Sequence, residues 1–330
     1  MFTMQILIVR KKVRMATRRL IKNKIIIFTL LFFFAMQIHP NAVWTKYSAG
    51  GIIFKKNNSI SIEKEELYLS FKKVKVSYVF HSDTKLSENL EITFPMPEIP
   101  HDGSPASSGI LIEEKKSAQN YMDFNLRVNG KRVKFKLIER ALLGEKDVTI
   151  KLKKYHLPLV ISKSTLEKIS DEIKDELEME KMLQREGNDY YPKWNYQVLF
   201  QWKQVFPHGN TSVDIEYIPS TGTEEYNSEY ANNYFHKGKG AKDYCIGKQI
   251  IAGLKKSSSW DAYTLGYILK TARFWKGPIK NFRLVVEKNP NSIVAFCPAN
   301  AKKISDTEFE WNAKDFYPDK DIRVLFFLKD

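Results

Sequence analysis

The chain has 330 residues and a formal net charge of +15, with 43% hydrophobic and 13% aromatic residues. That much apolar side chain can bury a core, which excludes a disordered polar tail. Eight of the positive charges fall between Arg10 and Lys24, with no acidic residue among them, and +7 remains for residues 43–330. There the lysines are interleaved with glutamates. This is not the clustered basic stripe with stacking aromatics that a nucleic-acid binder carries, so no nucleic-acid partner is expected.

Residues 1–42 read as an export leader. The basic start runs into the apolar stretch Ile25–Ile38, and a short polar stretch ends at Ala42. A basic region, a short apolar middle and a small residue at the junction make a secretory signal peptide. The apolar run has fourteen residues, short of the roughly 17–25 that span a bilayer as a helix. Cleavage is expected after Ala42, although Pro40 sits unfavourably at the −3 position. An uncleaved leader anchored in the inner membrane is the alternative, and the leader would then be the protein's sole membrane contact. Met15 opens a leader of ordinary length and is an alternative start. The expected location is periplasmic or secreted.

Period-two alternation dominates the rest of the chain, and that is the strand signal. Val74, Val76, Tyr78 and Phe80 share one face, with Lys75 and Ser77 on the other. Leu90, Ile92 and Phe94 repeat the pattern until Pro95, Pro97 and Pro100 end it. Segment 101–118, rich in Ser, Pro and Gly, reads as a long loop. Phe124, Leu126 and Val128 lead into Asn129-Gly130, and Val133, Phe135 and Leu137 lead away. Asn-Gly between alternating runs signals a hairpin, because both turn positions favour φ > 0.

One segment changes period. Leu166, Ile169, Ile173, Leu177 and then Met182 or Leu183 fall at helical spacing, which predicts one amphipathic helix over 164–185. Ser164 with Glu167 reads as its capping box and Gly187 as its stop. Its apolar face is expected on a sheet and its acidic face in solvent, and a partner-binding helix or lid is the sharper alternative. Strands resume after Pro192 with Tyr196, Val198, Phe200 and Trp202, then Val213, Ile215 and Tyr217. Segment 219–243 is polar and reads as a loop, and a short helix is expected over 246–255. The remaining expected strands are 263–270, 282–287, 293–297, 308–311 and 322–328. Strands without alternating helices imply antiparallel sheets. The fold class is mainly β: two antiparallel β-sandwich-like units at 43–162 and 191–330, with one inserted amphipathic α-helix within 163–190.

The stretch GGIIFKKNNSISIEKEELYLSFKKVKVSYVF, with ITFPMPEIP after it, resembles the start of the domain-of-unknown-function family 4424. WKQVFPHGNTSVDIEYIPSTG, Tyr244-Cys245, YILKTARFWKGPIKNFRLVVEK, Phe296-Cys297 and KDFYPDKDIRVLFF continue the likeness in order over residues 49–328. The resemblance implies an exported bacterial protein rich in strand, and it supplies no catalytic residues. More loosely, YVFHSDTKLSENLEITFPMPEI with FNLRVNGKRV is similar to the sandwich modules that precede some von Willebrand-type domains, an analogy of fold alone.

Cys245 and Cys297 are the two cysteines of the chain. In an oxidising compartment they are expected to form a disulfide, and two separate buried thiols are the alternative. The histidines His81, His101, His156, His208 and His236 form no HxH or HxxxH pair, and no nucleophile elbow or phosphate loop occurs. No catalytic, cofactor-binding or metal-ligating residue is therefore assigned. Asp315, Asp319 and Asp321 are the best acidic candidates, since paired carboxylates can hold Ca²⁺ or act as acid and base. Pro318-Asp319 before a strand is also ordinary turn chemistry. Trp202 and Trp311 sit on alternating apolar faces and are expected in the core. Trp260 and Trp275 lie in turn-like contexts and are the candidates for a surface groove. The expected role is non-catalytic binding or scaffolding, with an envelope protein or a cell-wall or membrane polymer as partner. The alternative is an envelope-polymer hydrolase using carboxylates near Asp315–Asp321.

Overall fold

The computed structural model describes residues 43–48, 51–54, 56–100, 120, 122–219, 221–224, 238–256 and 260–329. The leader, its Ala42 junction, the alternative start at Met15, loop 101–118, His101 and His236 lie outside them. The protein is mainly β, built from antiparallel sheets, and one parallel pairing joins distant parts of the chain.

An eight-stranded sheet forms the frame. Its strands run Lys302–Lys303, Glu308–Phe316, Ile279–Glu287, Ile60–Ser70, Val74–Ser82, Gly209–Tyr217, Asn125–Val128 and Lys131–Arg132 in spatial order. Strand Ile279–Glu287 lies parallel to Ile60–Ser70, with Asn281 opposite Lys64 and Arg283 opposite Glu66. A seven-stranded sheet contains Lys146–Asp147, Lys136–Leu143, Asn195–Phe206, Glu88–Pro95, Val43–Ser48 and Gly51–Phe54, and Ile99–Pro100 also pairs with Asn195–Phe206. A four-stranded sheet runs Thr221–Glu224, Asp261–Tyr267, Ile322–Leu328 and Ile293–Phe296.

These pairings do not follow two sequential units. Both large sheets combine strands from 43–162 and from 191–330, and only the four-stranded sheet lies wholly on one side of these boundaries. The physical reason is burial. Strand Asn195–Phe206 is covered along most of its length and needs a partner on each edge, and it finds both in the earlier half of the chain.

The main core lies on the inner face of the eight-stranded sheet. Against the seven-stranded sheet it is aromatic: Phe124 stacks on Phe200 with centroids 3.8 Å apart, and Phe80 meets Phe206 and Trp275 at 5.5 and 4.7 Å. The four-stranded sheet covers the other part of that face. Phe71 packs edge-on to Tyr263 and Phe326. Period two then splits Ile322–Leu328 between two cores. Ile322, Val324 and Phe326 face the main core, while Leu325 and Phe327 join Tyr244, Ile246, Leu254 and Trp260 in a second cluster. Helices Lys239–Asp243 and Lys248–Leu254 help form that second cluster, so part of the expected loop 219–243 is helical or strand.

The hairpin at Asn129-Gly130 forms with φ of 48° and 75°, the left-handed pair that its sequence calls for. The chain after it departs from expectation. Residues 133–135 leave the eight-stranded sheet, and Lys136–Leu143 enters the seven-stranded one.

The single helix over 164–185 is two helices and a hairpin strand. Ser162, not Ser164, caps the first helix, Lys163–Glu167, by accepting from Thr165 N–H at 3.2 Å. A second helix, Asp171–Met179, starts after Ser170. It ends at Lys181, which takes φ 59°, with Lys181 N–H donating to Glu178 O at 2.8 Å and Met182 N–H to Leu177 O at 2.8 Å. That is a Schellman closure made by a lysine where glycine is usual. It frees Leu183–Glu186 to pair with Asp189–Pro192 across Gly187, whose φ of 62° serves a turn and not a helix stop. Leu166, Ile169, Leu177 and Met182 are buried, while Ile173 is half-buried. Among the described residues no helix is long and apolar enough to cross a membrane.

Candidate functional site

The candidate site follows from a bulge. Counting alternation forward from Ile60 and Ile62 would turn Lys64 and Glu66 inward. The register of Ile60–Ser70 against Val74–Ser82 shifts between Ile62 and Lys64, so one extra residue is absorbed and the faces exchange. Glu65, Leu67 and Leu69 then point into the core, and Lys64 and Glu66 point out.

Outside, pairing assembles two transverse rows. Lys314, Asn281 and Lys64 lie opposite one another, and Asn312, Arg283 and Glu66 lie one step further along. The rows line a groove of about 290 Å³ floored by Phe282 and Ala313. Three cations face one carboxylate on its walls. Lys64 pairs with Glu66 at 3.0 Å. Arg283 Nε donates to Glu310 at 2.7 Å, and this hydrogen bond is the first cause holding the Glu310 carboxyl below its usual range. Asn281 Nδ2 donates to Glu63 O at 3.1 Å. Lys314 has no ion-pair partner among the described residues. Such a surface offers ammonium and guanidinium groups to anions and amides to hydroxyls.

The acidic candidates are not brought together. Asp315 pairs with Lys280 at 3.3 Å. Asp321 is a structural brace: its Oδ1 accepts from the N–H groups of Leu269 and Lys270 at 3.0 and 3.1 Å, at the start of the 3₁₀ helix Lys270–Phe274, and its Oδ2 meets Lys270 Nζ at 3.3 Å. Asp319 is exposed. The tryptophans also exchange roles. Trp260 and Trp275 are buried, with Trp260 Nε1 donating to Leu254 O at 2.9 Å. Trp202 is in the core as expected. Trp311 is only half-buried, packed on Phe282 and Phe316 at the sheet edge. Turn-like flanking sequence identified a local conformation and could not show which element would cover it.

His81 bonds Asn210 Oδ1 at 2.7 Å and Asp83 at 3.2 Å, with the His208 ring 6.4 Å away. Among the described residues no group of three His, Cys, Asp or Glu is placed to hold a metal ion. Cys245 and Cys297 form the disulfide, with Cα atoms 5.2 Å apart. Sequence reasoning missed the groove and also missed Glu65. Counting back from Leu69 and Leu67 places a carboxylate on an apolar face, and that was the available signal.

A family model described as Domain of unknown function (DUF4424) matches residues 41–325. No curated protein matches the chain. Among solved structures, the chain is similar to a candidate nutrient binding protein from Legionella pneumophila subsp. pneumophila str. Philadelphia 1. The identity is 16% and the TM-score 0.40, with 82% of this chain and 68% of that one covered. It is also similar to native yeast LTA4 hydrolase, at 9% identity and a TM-score of 0.30, over 82% of this chain and 29% of that one.

Proposed function

This chain belongs to the family of Domain of unknown function DUF4424, and from that premise we propose that it is an exported envelope protein acting without catalysis. Its ligand in this reading is an anionic, hydroxyl-bearing envelope polymer, held along the outer groove of the eight-stranded sheet. The observation that carries the reading is the pair of transverse rows. Lys64, Arg283 and Lys314 alternate with Asn281 and Asn312 on one solvent face. Cations spaced along a rigid sheet suit a repeating anion, and interleaved amides suit the hydroxyls between charges. The leader supports export to the compartment where such polymers occur. The periplasm or the exterior is the proposed location.

Titration calorimetry of the purified chain with a polyuronate and with neutral dextran tests this. The acidic polymer is expected to bind, more weakly as salt rises. Dextran is expected not to bind. Lys64→Glu with Lys314→Glu should abolish binding while changing stability by about 0.5 kcal/mol or less, because both residues are exposed. Equal binding of dextran, or full binding by the double variant, overturns the reading.

A further inference from the structure

Glu65 is the one carboxylate or cation that is buried among the described residues, at 0% exposure. It stands directly opposite Tyr78 in the pairing of Ile60–Ser70 with Val74–Ser82. Tyr267, from the four-stranded sheet, reaches across to it. The Tyr267 hydroxyl donates to Glu65 Oε1 at 3.3 Å and shares a 2.9 Å hydrogen bond with the Tyr78 hydroxyl. Glu65 Oε2 is buried with no hydrogen-bond partner. Tyr217, from Gly209–Tyr217, completes the set of ionisable groups that act on these three, and its ring lies 5.9 Å from Phe94 of the seven-stranded sheet. The cluster therefore sits where the cover of the eight-stranded sheet changes from one sheet to the other. The apolar residues of the main core include the strand neighbour Leu67 and, opposite Glu65 on the parallel strand, Phe282.

We propose that Glu65, Tyr78 and Tyr267 form a proton-operated latch that holds the four-stranded sheet on the eight-stranded one. Closed, the carboxyl is neutral, and its burial among apolar side chains and phenols is tolerable. Opening breaks the carboxyl O–H bond, the proton passes to water, and the electron pair stays on the carboxylate. That charge has two phenols to face and no cation, so the joint must admit water. The four-stranded sheet would loosen together with helices Lys239–Asp243 and Lys248–Leu254, which pack on its far side.

The direction in pH follows from burial, which raises the Glu65 carboxyl from 4.5 to about 8, against a smaller lowering by the hydrogen bonds of Tyr267 and Tyr78. Burial also holds all three tyrosines neutral far above that value. Between these limits the closed state carries one more proton than the open or unfolded state. Stability therefore falls as pH rises through that window and is level below and above it.

Hydrogen exchange of the full chain, corrected for intrinsic rates, tests the latch. In peptides covering 261–267 and 322–328, opening should increase up to about tenfold per pH unit between pH 6 and 8. Glu65→Gln keeps the shape of the neutral acid and should abolish that rise. A flat wild-type profile, or the same rise in Glu65→Gln, overturns the proposal. Should Glu65→Gln fail to fold, carbon NMR of the wild-type carboxyl decides. A protonated Glu65 at pH 7 supports the latch, and one already ionised at pH 6 refutes it.

Discussion

Breaking the Cys245–Cys297 bond perturbs this protein in a way that can be worked through. The cysteines are 52 residues apart and tie the end of strand Ile293–Phe296 to the turn between helices Lys239–Asp243 and Lys248–Leu254. In the chain-entropy model, a loop of that length removes about 14 cal/mol/K from the unfolded chain, or roughly 4 kcal/mol at 25 °C. Total stabilities run about 5–15 kcal/mol, so this is a large share. Residues 43–330 make a chain of 288 residues. Its unfolding entropy near 0.6 kcal/mol/K converts 4 kcal/mol into a melting shift of roughly 7 °C. The assay is urea unfolding of the wild type with and without reductant, beside Cys245→Ser, Cys297→Ser and the double variant. All four disrupted forms should lose the same amount, because either cysteine alone removes the same constraint. A difference near zero, or two thiols that label after unfolding without reductant, refutes the reasoning.

Leu177→Ala should cost about 2–5 kcal/mol in urea unfolding, since Leu177 is fully buried. Ile173→Ala, half-buried, should cost less than Leu177→Ala, and equal losses would contradict the two-helix packing. Gly130→Ala should cost about 1–2 kcal/mol through its φ of 75°, because the added methyl meets no neighbour. Intact mass of the protein purified from a bacterial envelope fraction should show a chain starting at Val43 under the proposed export, and a retained Ile25–Ile38 run would favour the anchor instead. Tyr267→Phe should cost about 1–3 kcal/mol by leaving Glu65 and Tyr78 without their shared partner, read at pH 6 where the carboxyl keeps its proton.

Local physics was readable along the chain wherever it decided the outcome. Strand Val74–Ser82 matches its alternation, Asn129-Gly130 turns as its two residues require, and two cysteines leave one intramolecular pairing. The family likeness was legible in the same way, and the family model matches residues 41–325. What tertiary structure decided was partnership. A parallel pairing between residues more than 200 apart leaves no trace in periodicity, yet it sets Arg283 beside Glu66 and creates the groove. The bulge between Ile62 and Lys64 shifts one residue and thereby sends Glu65 inward and Lys64 outward, because side chains on a strand alternate with period two. Lys181 ended a helix in a conformation that sequence assigns to glycine, and the hairpin packed behind it holds that backbone. Trp275 reads as a turn residue and lies in the core because Phe80 and Phe206 reach it from two different sheets. Periodicity shows which face of a strand is apolar, and only the assembled sheets determine what meets that face.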